Sequence, residues 1–307
     1  MLLSTCIWIK KYNRIKPKIK GKRPTVLYIS NENSIGESVI RTWNMTVTDD
    51  DITNYSPEEV VRKMKDDGGL VLSSEDDIDI VMQYYGNMEI STSDLYSIIE
   101  DLEDEGREIV CFVLDYIKRI RPARRAQDER TQLAYVSNEL KDLAVKKEIP
   151  VITAQQINRA GNMTIDAAME SGKEDLARFL GRGNIAQSWD MLENTDWAAI
   201  LNVEVERSTG VRYLTIKEIK KRYKSMTDID YMNQPFMEGS TIRLVEDFWM
   251  EKPAAKTSLA SDLVGVKIDD VGSRGEKTAK KRNDLQDMFR PEDNNVMELA
   301  FNSNEVA

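Results

Sequence analysis

Short apolar runs alternate with amphipathic stripes along most of this chain. Residues 2–12 predict a helix broken before Pro17. The run TVLYIS at 25–30 has the length of a buried strand. Ser56-Pro57-Glu58-Glu59 has the form of a capping box with proline at the first helical position, and Val60, Val61 and Met64 follow it. Short strands are expected at 70–72 and 79–82. A helix starting at Thr92 lines up Leu95, Ile98, Ile99 and Leu102 and stops at Gly106. IVCFVLD at 109–115 is an unbroken apolar run closed by a carboxylate, as expected of a parallel strand covered on both faces. Leu133, Val136, Leu140, Leu143 and Ala144 mark the inner face of a helix over 130–147, and a strand is expected at 150–154. A polar, glycine-containing stretch runs from Gln156 to about Gly183. Strands at 197–203 and 211–217, joined by a turn at 208–210, and a late strand at 241–247 complete the pattern. Strand and helix in alternation predict an α/β domain with a mostly parallel sheet flanked by helices, over residues 1–252. Beyond Pro253 the chain is polar and poor in aromatics, so residues 253–307 are expected to form a flexible, disordered tail.

Composition narrows the chemistry. The 307 residues are 41% hydrophobic and 31% charged, with mean hydropathy −0.49, which leaves room for a sizeable core in a soluble protein. No run reaches the roughly 18 apolar residues of a membrane span, and a cytoplasmic protein is expected. Cys6 and Cys111 are too few for a disulfide framework and sit among apolar residues, as buried thiols do. The chain has no histidine. That removes histidine general acid–base catalysis, Ser-His-Asp and Cys-His nucleophiles and His-ligated zinc, and leaves carboxylates, amides, lysines, arginines and a divalent metal. The net charge of −10 does not advertise a nucleic-acid partner, but the charge is segregated. Residues 10–23 and 118–125 are basic without a single acid.

Five residues, in four segments, stand where an α/β fold places its chemistry, beyond the carboxyl ends of strands. Asp115 closes an apolar strand and could hold magnesium directly or through water. Glu32, just past the strand at 25–30, could polarise a water that attacks a γ-phosphate. Gln156 follows the strand at 150–154 and could sense a γ-phosphate by hydrogen bonding, with Gln155 beside it. Lys220 and Arg222 alternate at a strand end and could reach a neighbouring protomer's triphosphate. Each taken alone is matched by a plainer reading as a capping or surface residue.

Taken in order, Ser30-Asn31-Glu32, Leu114-Asp115-Tyr116, Gln155-Gln156-Ile157-Asn158-Arg159 and Lys220-Lys221-Arg222 resemble the motor domain of DnaB-type replicative helicases, particularly those of large bacteriophages. The stretch 129–159 is the most specific, and the resemblance covers about residues 1 to 250. It implies a RecA-like fold that binds ATP (or another nucleoside triphosphate) and Mg2+. Glu32 would be the catalytic base, Asp115 the metal-associated carboxylate and Gln156 the γ-phosphate sensor. Lys220 and Arg222 would act on the nucleotide in trans across a ring interface. Arg159, Lys173, Arg178 and Arg182 would lie near a central channel that grips single-stranded DNA by its backbone. The implied assembly is a homo-oligomer, a hexamer, with primase and a helicase loader as further partners. Asn33 stands where the family has methionine, and Tyr223 where it often has an Asn-Gly turn.

The family's phosphate-binding loop, G-x-x-x-x-G-K followed by Ser or Thr, occurs nowhere in the sequence. In this architecture it should precede the helix at 2–12, so the domain is expected to be incomplete at its N-terminus. Three functions stay open: a helicase motor fragment, a RecA-type recombinase or related ATPase, and a non-catalytic remnant that binds motor subunits.

Overall fold

The computed structural model describes residues 1–46, 59, 62–63, 78–185, 189–205, 212–222 and 231–235. Its centre is a four-stranded parallel sheet of β1 (Arg23–Ser30), β2 (Asp79–Tyr84), β3 (Arg107–Asp115) and β4 (Val151–Thr153), in the order β2-β1-β3-β4. Helix α1 (Leu2–Tyr12) precedes β1, and α2 (Ile35–Thr46) follows it. Helices α3 (Thr92–Asp104) and α4 (Glu129–Lys147) connect β2 to β3 and β3 to β4.

The period-two alternation of β1 sorts its side chains onto two faces. Val26 and Tyr28 join Leu3, Cys6 and Ile7 of α1 in one core, while Leu27 and Ile29 join Leu95 and Ile99 of α3 and Leu133 and Val136 of α4 in the other. In β3 the parity changes partway. Thr25 pairs with Ile109 but Val26 pairs with Cys111, so Val110 is an extra residue in the ladder. Ile109, Phe112 and Leu114 therefore share one core, and Cys111 and Val113 the other. Both cysteines are buried free thiols, and burial pushes the Cys111 thiol up to about 12. At the amino end of the sheet the buried Asp79 carboxylate accepts from Arg107 Nη1 at 3.0 Å and pairs with Arg23 Nε at 3.4 Å.

Handedness then positions the site. The chain steps one way from β1 to β2 and the opposite way from β2 to β3 and from β3 to β4. Right-handed crossovers put α2 on one face and α3 and α4 on the other, as their core partners require. The connections leaving β1 and β3 thus diverge, which opens a crevice at the carboxyl ends of these two strands.

The helix ends follow local chemistry. Ser91 and Asp94 form a capping box on α3, and Gly106, at φ +86, turns the chain into β3. Asp128 caps α4 by accepting from Thr131 N at 2.7 Å.

The stretch read from sequence as polar and without an element contains α5 (Arg159–Glu170) and two 3-10 turns, Leu176–Phe179 and Arg182–Asn184. After α6 (Trp189–Asn194) a separate antiparallel sheet follows, of β5 (Trp197–Val205), β6 (Arg212–Lys221) and β7 (Tyr231–Pro235). Neither α2 nor β7 is expected from the sequence pattern. The expected strands at 70–72 and 241–247, the turn at 208–210 and the tail at 253–307 lie outside the described residues. Of the helix expected after Ser56, Glu59, Arg62 and Lys63 are described and are helical. Among the described residues no helix is long and apolar enough to cross a membrane.

Candidate functional site

Asp115 stands at the carboxyl end of β3, where the connections leaving β1 and β3 part. Its Oδ2 accepts from the Tyr28 hydroxyl at 2.9 Å and from Asn33 Nδ2 at 3.4 Å, and its backbone oxygen accepts from Asn31 N at 2.7 Å. Tyr28 is fully buried, and burial together with the Asp115 charge raises its hydroxyl well above the ordinary tyrosine range. It stays a neutral donor aimed at the carboxylate. Ser30 Oγ accepts from Glu32 N and Asn33 N, at 3.2 and 2.9 Å, and so shapes the turn that carries Glu32 out of the sheet. Helix α1 packs against the Tyr28 face of β1 through Leu3, Cys6 and Ile7. The Met1 amino group is buried, which lowers its pKa, and the nearby Asp115 charge opposes that shift.

Glu32 is exposed beyond β1, with Arg119 Nη2 at 4.0 Å. Arg119 also donates to Asn31 O at 3.1 Å and to the Tyr116 hydroxyl at 3.3 Å, so one guanidinium ties the turns leaving β1 and β3. Gln156 is exposed just past β4, at the same edge of the sheet. The adjacent Gln155 carries a buried Oε1 with no hydrogen-bond partner among the described residues.

Lys220 and Arg222 lie apart from this corner, at the end of β6. Lys220 Nζ donates to the carbonyls of Leu192 and, at 2.9 Å, Glu193, in the last turn of α6. Such carbonyls are unsatisfied within a helix and carry the negative end of its dipole. Arg222 donates to Asp196 Oδ1 at 2.9 Å, and Lys141 of α4 binds the other oxygen of the same carboxylate. Hydrogen bonds from Lys141 first, and from Arg222, hold the Asp196 carboxyl below its ordinary range. A folded-state pKa that is depressed contributes stability above the unfolded carboxylate value, about 3.9, and that contribution is lost as pH falls through the folded value. We expect a carbon-detected NMR titration to place the Asp196 midpoint below about 3.9 and Lys141→Met to raise it. A midpoint at or above the free value would contradict the assigned pairing.

The four cations expected to bind DNA border α5 and the turns after it, and all four are exposed. Arg159 opens α5. Lys173 Nζ sits 4.6 Å from the centre of the Phe179 ring, and Arg178 Nε lies 3.8 Å from Asp175. Arg182 Nε donates to Ile219 O on β6 at 2.8 Å. The segment is anchored at both ends. Asn158 caps α5 by accepting from Gly161 N at 2.9 Å, while its Nδ2 donates to Gly183 O and Ile185 O at 2.9 and 3.2 Å. A Cβ on Gly161 would meet Asn184 Cβ and O at 3.1 Å, a tight contact that a side chain could enter only if Asn184 gave way by a few tenths of an ångström. At the other end Glu204 of β5 is 4% exposed and accepts from the backbone N–H groups of Leu176 and Ala177, the Tyr213 and Thr215 hydroxyls and Asn202 Nδ2.

This arrangement coincides with a sequence-family match over residues 1–263, to the divergent DnaB-like ATPases. The chain belongs to that family. No curated protein sequence matches it. Among solved structures it is similar to a DnaB-like replicative helicase described with its interactions with primase. The identity there is 16% over 70% of this chain and 50% of that one, with a TM-score of 0.46. It is also similar to a second solved structure, an isolated ATPase domain, at 14% identity over 77% of this chain and 87% of that one, with a TM-score of 0.41. This DnaB-like chain spans half the length of the first of these two.

In this member of the DnaB-like family the sheet brings Glu32, Asp115 and Gln156 to one edge, while Lys220 and Arg222 sit on the second sheet. Asn33, a neutral departure from the family by sequence alone, has an amide that reaches Asp115. Sequence reasoning misses Arg119, whose signal is only the basic run after Asp115, and Glu204, whose signal is an acid inside an apolar strand. The donor set suits a hard cation on one condition. Among the described residues no group of three or more carboxylates, cysteines or histidines could hold a metal. One carboxylate, steadied on Oδ2 by Tyr28 and Asn33, could supply only part of a magnesium coordination shell, and phosphate oxygens and water would have to complete it.

Proposed function

We propose that this family member is the motor core of a replicative DNA helicase, which hydrolyses ATP to translocate on single-stranded DNA and unwind duplex as a ring. The observation that carries this reading is the placement of Glu32, Asp115 and Gln156 at or just past the carboxyl ends of three neighbouring parallel strands, β1, β3 and β4. Magnesium bound with ATP would neutralise charge developing on the β- and γ-phosphates. Asp115 would hold the metal or its water, with its orientation set by Tyr28 and Asn33. Glu32, exposed and facing Arg119, would accept a proton from the attacking water. Gln156 would report the γ-phosphate to α5 through the adjoining Asn158. Lys220 and Arg222 would serve the neighbouring protomer in a hexamer, with primase and a helicase loader as partners in the host cytoplasm.

The sequence contains no G-x-x-x-x-G-K cradle. We propose that the cradle is supplied from outside these 307 residues. The test is ATP hydrolysis with and without single-stranded DNA, by the chain alone and with the upstream coding segment restored or supplied in trans. DNA-stimulated turnover is expected only with the cradle, and Glu32→Gln should lower it by about 10² to 10⁴. No turnover in any combination would overturn the motor reading in favour of a non-catalytic subunit. Strand exchange without unwinding would instead mark a recombinase.

A further inference from the structure

The basic run after Asp115 sends its cations to different places. Lys118 pairs with Glu129, Arg121 Nη2 donates to Glu89 O at 2.9 Å, and the Arg124 guanidinium lies 3.8 Å over the Tyr135 ring. Arg119 reaches the carboxyl edge of the central sheet instead. Its backbone is anchored on both sides. Arg119 N donates to Tyr116 O at 3.2 Å, Met88 N donates to Arg119 O at 2.8 Å, and Arg121 N donates to Ile90 O at 3.0 Å. The 3-10 turn Ile117–Arg119 is thereby stitched to the connection leaving β2. From that fixed point the guanidinium spreads over three groups. Nε donates to the Tyr116 hydroxyl at 3.3 Å, Nη1 donates to Asn31 O at 3.1 Å, and Nη2 stands 4.0 Å from Glu32 Oε1.

The first two contacts lie within hydrogen-bonding distance and the third does not. Arg119 therefore grips the backbone that carries Glu32, and attracts its carboxylate by charge without occupying the lone pairs. A bidentate arginine pair would engage both carboxylate oxygens. A carboxylate held at this distance still has room to accept from water, as a general base must. The planar guanidinium does both tasks because its donors diverge in fixed directions, whereas lysine offers a single nitrogen. The same turn is tied to Asp115 from its other side, where Asn31 N donates to Asp115 O at 2.7 Å. We propose that Arg119 is a positioning residue for the proton-accepting step: it sets where Glu32 stands relative to Asp115 and leaves the carboxylate open to water. The proposal rests on the motor reading above and adds to it the group that aims the base.

The test uses the full 307-residue chain with the phosphate cradle restored or supplied in trans. Arg119→Ala and Arg119→Lys are each expected to lower kcat for DNA-stimulated ATP turnover by about 10- to 100-fold, the scale of a base displaced by an ångström, with KM for ATP nearly unchanged. Arg119→Ala in the Glu32→Gln background should bring no further loss, because a residue that acts through Glu32 then has nothing left to aim. Losses that multiply in the double variant, or a KM that rises while kcat holds, would overturn the proposal and leave the motor reading standing. A second readout needs no turnover. The Glu32 and Asn33 amides donate to Ser30 Oγ, and Arg119→Lys, which keeps the charge and most of the bulk, should speed their hydrogen exchange by about 10-fold. Unchanged exchange would overturn the tie between Arg119 and this turn whether or not ATP is hydrolysed. No turnover by the unsubstituted chain with its cradle would overturn the motor reading, and with it the role assigned to Arg119.

Discussion

Replacing Glu204 by alanine is expected to destabilise the folded chain by about 3–5 kcal/mol and to release the Leu176–Phe179 turn from the second sheet. The reason is the number of donors that converge on one buried carboxylate. Backbone N–H groups of Leu176 and Ala177 reach it at 2.9 and 3.3 Å, and the Thr215 and Tyr213 hydroxyls at 2.8 and 3.2 Å. Leu176, Ala177 and Thr215 are themselves buried. Truncation would strand these donors where each unsatisfied group costs about 1–3 kcal/mol, less whatever water enters the space left behind. Glu204→Gln keeps the shape but turns one acceptor into a donor facing donors, so it should lose less than alanine. Chemical denaturation measures the first effect, and hydrogen exchange at the Leu176 and Ala177 amides measures the second. A loss under about 1 kcal/mol with unchanged exchange would mean that the turn is held by other contacts.

Arg222→Ala is expected to lower DNA-stimulated ATP turnover by about 10³ to 10⁵ once the phosphate cradle is present, the range spanned by arginine fingers. Within this chain Arg222 is tied to Asp196, and Lys220 to the end of α6, so neither waits free in solvent. To serve a neighbour's nucleotide, Arg222 must exchange one carboxylate for a triphosphate. The exchange is cheap because the ion pair is exposed and weak. Mixing Arg222→Ala with Glu32→Gln should recover part of the activity that each variant lacks. At some interfaces the intact finger of one protomer meets the intact base of another. Normal turnover by Arg222→Ala, or no recovery on mixing, would restrict Arg222 to a structural role beside Asp196.

Much of the central sheet is legible in the pattern of apolar runs. TVLYIS and IVCFVLD are too continuous to be anything but strands covered on both faces, and they form β1 and β3. The stop at Gly106 is a local backbone effect and is legible in the sequence, whereas the caps at Ser91 and Asp128 are seen only in the structure. The helix α5 is hidden because its apolar stripe is built largely from alanine, threonine and serine, with Gly161 in the first turn. That glycine answers to Asn184, a contact that no local pattern carries.

The candidate site divides in the same way. Asp115 and Glu32 are found from strand ends, because a carboxylate beyond an apolar strand is a local signal. That Tyr28 and Asn33 turn toward Asp115, and that Arg119 ties two turns together, depends on strand order. The step from β2 back across β1 to β3 makes that order, the bulge at Val110 decides which β3 side chains face which core, and both arise from pairing over long separations. Local pattern therefore settled which segments form strands and helices and which chemistries a chain without histidine can run. Packing settled which side chains share a corner, which carboxylate is buried among donors, and that the Lys220 and Arg222 cations are tied back within their own chain. A residue's neighbours in space are chosen by burial and handedness, and neither is written in the spacing of a single segment.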